Sequence, residues 1–162
     1  MRVYIPATLA LLQQLVADGS MQPRSGTAFA VTPALREAYT VGDDDELAEV
    51  AIGEAALASL RLLAADPDAA PRRAVVVADA DAAPRPDLDD AAVRLAGRVE
   101  LSQLVAVYVD NAAAEPAVRA AAGVIDDADL GDEDAELTVG DAQDHDLAWY
   151  APQELPFLLE LL

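Results

Sequence analysis

The sequence contains no cysteine, no lysine and a single histidine, His145; all ten basic residues are arginines. Without lysine there is no Schiff base and no phosphate-loop lysine, and without cysteine no thiolate nucleophile, disulfide or sulfur-ligated metal. Aromatic residues make up only 4% of the chain, and 37 alanines inflate its 54% hydrophobic fraction, so large core-forming side chains are fewer than that fraction implies. Long hydrophobic runs are also missing. The stretch from Leu9 to Val16 is broken by Gln13 and Gln14 and closed by Asp18-Gly19, far short of the roughly 20 residues a membrane span needs. No membrane or export segment is expected, and the expected compartment is the cytoplasm. The eight glycines include no Gly-x-Gly, and none of the four serines sits in Gly-x-Ser-x-Gly, so the dinucleotide-fold and serine-hydrolase motifs are both missing.

What is abundant is negative charge. The 162 residues carry 30 carboxylates against ten arginines, a formal charge of −20. The charge is unevenly placed. Residues 1–41 hold three arginines and two carboxylates, a net +1, and the remaining seven arginines and 28 carboxylates give residues 42–162 a net −21. Ten carboxylates fall between Asp126 and Asp146 with no arginine among them. A phosphate backbone is repelled by such a surface, so direct nucleic-acid binding is not expected, and the partner expected is an unidentified protein.

The length fits one domain, residues 1–162, with a real core. Short apolar strands alternate with helices. Arg2–Ile5, Thr27–Val31, Ala74–Ala78, Ala91–Val99, Val105–Val109 and Leu147–Tyr150 read as strands, by continuous apolar runs or by alternation. Helices are expected from Pro6 to Asp18, from Thr32-Pro33 through Tyr39, from Asp43 with a stripe at Leu47, Ala51, Ala55, Ala58 and Leu62, from Ala112 to Ala122, and over Phe157–Leu162. Acidic loops are expected at 80–90 and 126–146. Ala74–Ala78 and Ala91–Val99 are expected to pair antiparallel. The order predicts an α+β fold, with mixed α/β as the alternative: one mixed sheet of about five to six short strands packed by helices.

Several carboxylate clusters invite a chemical reading. Asp43-Asp44-Asp45-Glu46 stands where a helix starts, and carboxylates there satisfy free backbone amides and oppose the positive helix end, so it reads as a cap. A calcium loop beginning at Asp126 would place Gly131 correctly but Ala128, Leu130 and Leu137 at ligand positions, so a solvated segment is the better account. Asp79 and Asp81 follow an apolar strand, where two carboxylates can hold magnesium or manganese against a phosphate; Asp110 follows another and could complete the set. A small divalent-metal-dependent enzyme acting on a phosphate-containing substrate is therefore the alternative function, with magnesium or manganese its cofactor.

The leading expectation is a non-enzymatic regulatory or protein-interaction module needing no cofactor. Asp144, His145 and Asp146 adjoin Trp149. The segment from Trp149 to Leu162 concentrates the large apolar residues lacking elsewhere, and Phe157 stands in its helix. These five residues are the candidate partner-binding set, and the last helix is equally a candidate homodimer contact.

Met1-Arg2-Val3-Tyr4-Ile5-Pro6-Ala7-Thr8-Leu9, Ala30-Val31-Thr32-Pro33-Ala34-Leu35-Arg36-Glu37 and Asp144-His145-Asp146-Leu147-Ala148-Trp149-Tyr150 together resemble a family of small acidic actinobacterial proteins of unknown function. The resemblance runs nearly the full length, and the opening motif is its most specific part. It implies a bacterial cytosolic protein and supplies no catalytic residues.

Overall fold

The computed structural model describes residues 1–23 and 25–162. At its centre β1 (Arg2–Ala7) runs antiparallel to β4 (Ala74–Asp79) along its whole length, from Arg2 opposite Asp79 to Ala7 opposite Ala74. Both strands are nearly continuous apolar runs because both faces of the sheet are covered. β4 pairs on its other side with β8 (Leu104–Val109), with a register shift between Val77 and Ala78. β3 (Thr27–Phe29), β5 (Ala82–Pro84), β6 (Ala92–Leu95) and β9 (Ala148–Tyr150) complete a seven-stranded sheet of order β5-β6-β3-β1-β4-β8-β9, with every pairing antiparallel. β2 (Ser20–Met21) and β7 (Val99–Glu100) form a separate two-stranded sheet. The fold is α+β.

Alternation along the strands divides the core. On one face Val3, Ile5, Val76 and Val107 meet Leu11, Leu12 and Leu15 of α1 (Leu9–Asp18) and Leu155 and Leu158 of α7 (Leu155–Leu161). On the other, Tyr4, Phe29, Val75, Val77 and Ala106 meet Leu35 of α2 (Pro33–Ala38) and Leu47, Ala51 and Ala55 of α3 (Asp44–Ala64). The carboxyl half of α3 keeps contact with the sheet through Ala55 and Ser59 and turns another side to the helices that follow β8. There Leu60 and Leu63 pack against Val118 and Ala121 of α4 (Glu115–Ala122), Ile125 of α5 (Ile125–Asp129), and Val139 and Ala142 of α6 (Glu133–Gln143).

Local chemistry sets the helix ends. Thr8 accepts from the Leu11 amide, Thr32 from Leu35, Asp43 from Glu46 and Asp132 from Ala135, each satisfying an amide that the helix leaves free. Asp43 is thus a cap, with Asp44, Asp45 and Glu46 in the first turn of α3. α1 ends at Gly19, whose φ of 73° lies in the left-handed region that glycine enters without strain.

The structure departs from sequence-based expectation in five places. Pro6 lies inside β1 opposite Val75, beyond the point where β1 pairs with β3, and α1 starts only after the Thr8 cap. Ala74–Ala78 does not pair with Ala91–Val99: β1 and β8 flank β4, and the second segment divides at 96–98 into β6 and β7, which join different sheets. The 80–90 loop contains β5, where Pro84 is tolerated because the strand is an edge. The 126–146 loop is largely helical, forming α5 and α6. Along α3, Ala58 and Leu62 are only partly buried while Leu60 and Leu63 are buried, since Leu60 and Leu63 lie on the side of the helix that α4–α6 cover.

Candidate functional site

Asp79, Asp81 and Asp110 are not brought together. β4 and β8 run antiparallel, with Ala74 opposite Val109, so Asp79 ends β4 at one edge of the fold and Asp110 follows β8 at the other. Six residues of extended chain separate Asp79 from Arg73, the neighbour of Asp110, about 20 Å at roughly 3.3 Å per residue. Each of the two is also engaged. Asp79 is exposed and accepts from Arg2 Nε and Nη2 at 3.1 and 3.3 Å. The Arg2 hydrogen bond holds its carboxyl below the usual range, and Asp79 raises the Arg2 guanidinium in turn. Asp110 is 1% exposed and accepts from the Arg73 amide, Nε and Nη2, each at 2.8 Å. Asp81 is exposed and contributes its carbonyl to the Ala96 amide. Among the described residues no group of three or more histidines or carboxylates is placed to hold a metal ion. The three-carboxylate metal site is therefore not assembled. Its residues follow two strands that point in opposite directions.

The second set of candidates divides. Trp149 stands on β9 directly opposite Tyr108 of β8, so the two side chains share the α3 face of the sheet. Its neighbour Tyr150 packs on the opposite face against the α1 and α7 core. Phe157 belongs to α7 on that opposite face and is 70% exposed there. Trp149 and Phe157 therefore form two patches rather than one. Asp144 ends α6 and is exposed. His145 is half-buried, and its carbonyl accepts from Arg73 Nη2 at 2.8 Å, which ties the chain before β9 to the buried Arg73–Asp110 pair.

Around Trp149 the fold leaves a cleft of about 320 Å³ between the sheet and the amino-terminal half of α3. The sheet contributes Arg2, Tyr4, Tyr108 and Trp149, and the helix contributes Asp45, Ala48, Glu49 and Ile52. Residues 45, 48, 49 and 52 lie three or four apart and so share one face of the helix. The cleft exists because small residues stand where the helix crosses the sheet: Ala48 above and Ala106 below leave the room that larger side chains would fill. Glu49 and Ile52 also line an adjoining recess of about 200 Å³ with Arg73, His145 and Asp146. The structure thus gathers His145, Asp146 and Trp149 around one stretch of α3.

Both phenols in the cleft are shifted upward. Burial is the main cause for each, and the Glu49 carboxylate adds to both, with Asp45 adding at Tyr4 and Arg2 opposing there. The cleft thus combines aromatic surface, neutral phenols and two carboxylates. Its lone cation, among the described residues, is Arg2, bound to Asp79. Sequence reasoning missed Tyr4, Tyr108, Asp45 and Glu49. The alternation in β1 and β8 puts each tyrosine on the face opposite its aliphatic neighbours, Val3 and Ile5 or Val107 and Val109, but only the pairing β1-β4-β8-β9 brings them to Trp149.

Among the described residues no helix is long and apolar enough to cross a membrane. No curated protein and no solved structure matches the chain. A family model does, along almost the entire length and across every element that builds the cleft. The chain belongs to the family of unknown function DUF6912, whose model matches residues 1–159.

Proposed function

We propose that this protein is a non-enzymatic interaction module that docks a basic protein on the α3 face of β9, with Trp149 as the apolar anchor. The observation that carries this reading is the placement of the chain's single tryptophan. It stands 56% exposed on an edge strand, beside a cleft, in a protein with few large apolar residues to spare. Large aromatic side chains set in a partly enclosed, water-excluding setting are the usual anchors of protein interfaces. The acidic surface supplies the second element. A net −20 accelerates and orients encounters with a basic partner, an effect that salt weakens.

The α7 patch, with Phe157 and Leu161 exposed, provides an internal control on the opposite face. Capture experiments with wild type, Trp149→Ala and Phe157→Ala at low and moderate salt test the proposal. The expected result is a basic protein retained by wild type and Phe157→Ala, released by Trp149→Ala and depleted as salt rises. Recovery of the same proteins by all three forms, indifferent to salt, contradicts it.

A further inference from the structure

Resting on that interaction reading, we propose that the Trp149 cleft is a pocket for an arginine side chain of the partner, whose guanidinium lies against Tyr4, Tyr108 and Trp149 with Asp45 and Glu49 as its counter-charges. The chain has only seven aromatic residues, and three of them line this one cleft, drawn from three different strands. Aromatic faces attract cations through their negative π-clouds, and a carboxylate beside them adds to that attraction.

The charges around the cleft favour a cation. Arg2 is held by two hydrogen bonds to Asp79, so its charge is matched outside the Asp45–Glu49 pair, and these two carboxylates stand exposed. Of the side chains facing the cleft from the sheet and from α3, the remainder are neutral. The shared influence of Glu49 on both phenols places its negative field where the cation would sit. The cleft, about 320 Å³ and open to solvent on one side, admits a long side chain.

Arginine is favoured over lysine on chemical grounds. Its planar guanidinium stacks on aromatic rings, is less strongly hydrated than an ammonium, and carries enough donors to reach two carboxylates at once. Tyr4, 8% exposed and lining both this cleft and its continuation toward Arg36 and Asp44, adds a phenol at the inner wall.

The test is a titration of the intact protein with two blocked tripeptides, acetyl-Gly-Arg-Gly-amide and acetyl-Gly-Lys-Gly-amide, followed by Trp149 emission and by amide chemical shifts. We expect saturable binding of the arginine peptide, at least about fivefold weaker binding of the lysine peptide, and a similar weakening by Glu49→Gln and by Tyr108→Leu. Glu49→Gln changes an exposed side chain and keeps the fold, so its result stands even if Tyr108→Leu lowers stability. Absence of saturation, equal affinity for both peptides, or indifference to Glu49→Gln overturns the proposal. If the peptides fail while Trp149→Ala still abolishes partner capture, the arginine pocket falls and the interaction reading remains. If both fail, both fall.

Discussion

Asp110 accepts three hydrogen bonds from Arg73, and Arg73 Nη2 also reaches the His145 carbonyl, so two fully buried charges fasten the start of β4, the end of β8 and the approach to β9. Arg72 adds a bond to the Asp110 carbonyl. A buried pair is costly to assemble and costlier to break, because removing one partner leaves the other charged and dry. Asp110→Ala should therefore lower unfolding stability by about 3–5 kcal/mol, measured by urea titration, whereas a loss below about 1 kcal/mol, the scale of an exposed pair, would contradict this account. Ser59 performs the neutral version of the same task. Its hydroxyl donates to the Ala7 carbonyl at 2.7 Å and accepts from the Ala74 amide at 3.0 Å, joining α3 to β1 and β4. A sequence cannot display such roles. Asp110 looks like any polar residue after a strand, and only antiparallel pairing of β4 with β8 brings Arg73 to it. The pairing that buries Asp110 also takes it out of reach of Asp79, so topology keeps the three carboxylates apart.

At the level of elements, α6 shows how a carboxylate-rich segment becomes helical. Ala135, Val139 and Ala142 fall four and three residues apart and form its buried face, while Asp132 caps the helix and Glu133, Asp134 and Glu136 occupy its first turn, where they oppose the positive helix end. The apolar stripe is made mostly of alanine and is therefore faint beside the surrounding charge. Asp132→Ala should cost about 1 kcal/mol by removing the side chain that bonds the Ala135 amide. Asp134→Ala, in the same turn without a capping bond, should stay within about 0.5 kcal/mol. Thermal unfolding of both variants checks the contrast, and equal losses would show that charge rather than capping governs the site. Elements built from local signals were legible: the Thr32-Pro33 start of α2, the Asp43 cap, and the apolar runs of β1, β4 and β8. What was not legible depended on partners distant in sequence. β5 is a strand only because β6 lies beside it, and 91–99 divides only because its ends join different sheets.

For the whole molecule the dominant quantity is the net charge. Twenty excess negative charges repel one another more strongly in the compact state than in the unfolded chain. Salt shortens the range of that repulsion from about 10 Å at 0.1 M to about 3 Å at 1 M. The melting temperature at pH 7 should accordingly rise with potassium chloride. Acidification has two opposing effects. As pH falls toward the carboxylate range, protonation relieves the repulsion, and Glu54, whose carboxyl burial pushes up, loses early an ionisation that weighs against the fold. At lower pH the Arg2–Asp79 and Arg61–Asp129 pairs are lost. Their carboxyls are held below the usual value by their arginines. The stability they contribute is present above the unfolded aspartate value near 3.9 and disappears as pH falls through the lowered folded values. Both pairs are substantially exposed, so each contributes little. A stability maximum on the acid side of neutrality, flattened by salt, is the expected profile in thermal scans; a maximum above pH 7 that salt leaves unchanged contradicts it.

The central claim is that this acidic surface serves a docking site and that Trp149 is its anchor. As the chain's single tryptophan, Trp149 reports on that site without labelling. Acrylamide quenching of its emission, measured on the free protein and on the complex with a captured basic partner, tests the claim most directly. Ready quenching in the free protein and strong protection in the complex is the predicted result; equal quenching in both would mean that the partner docks elsewhere.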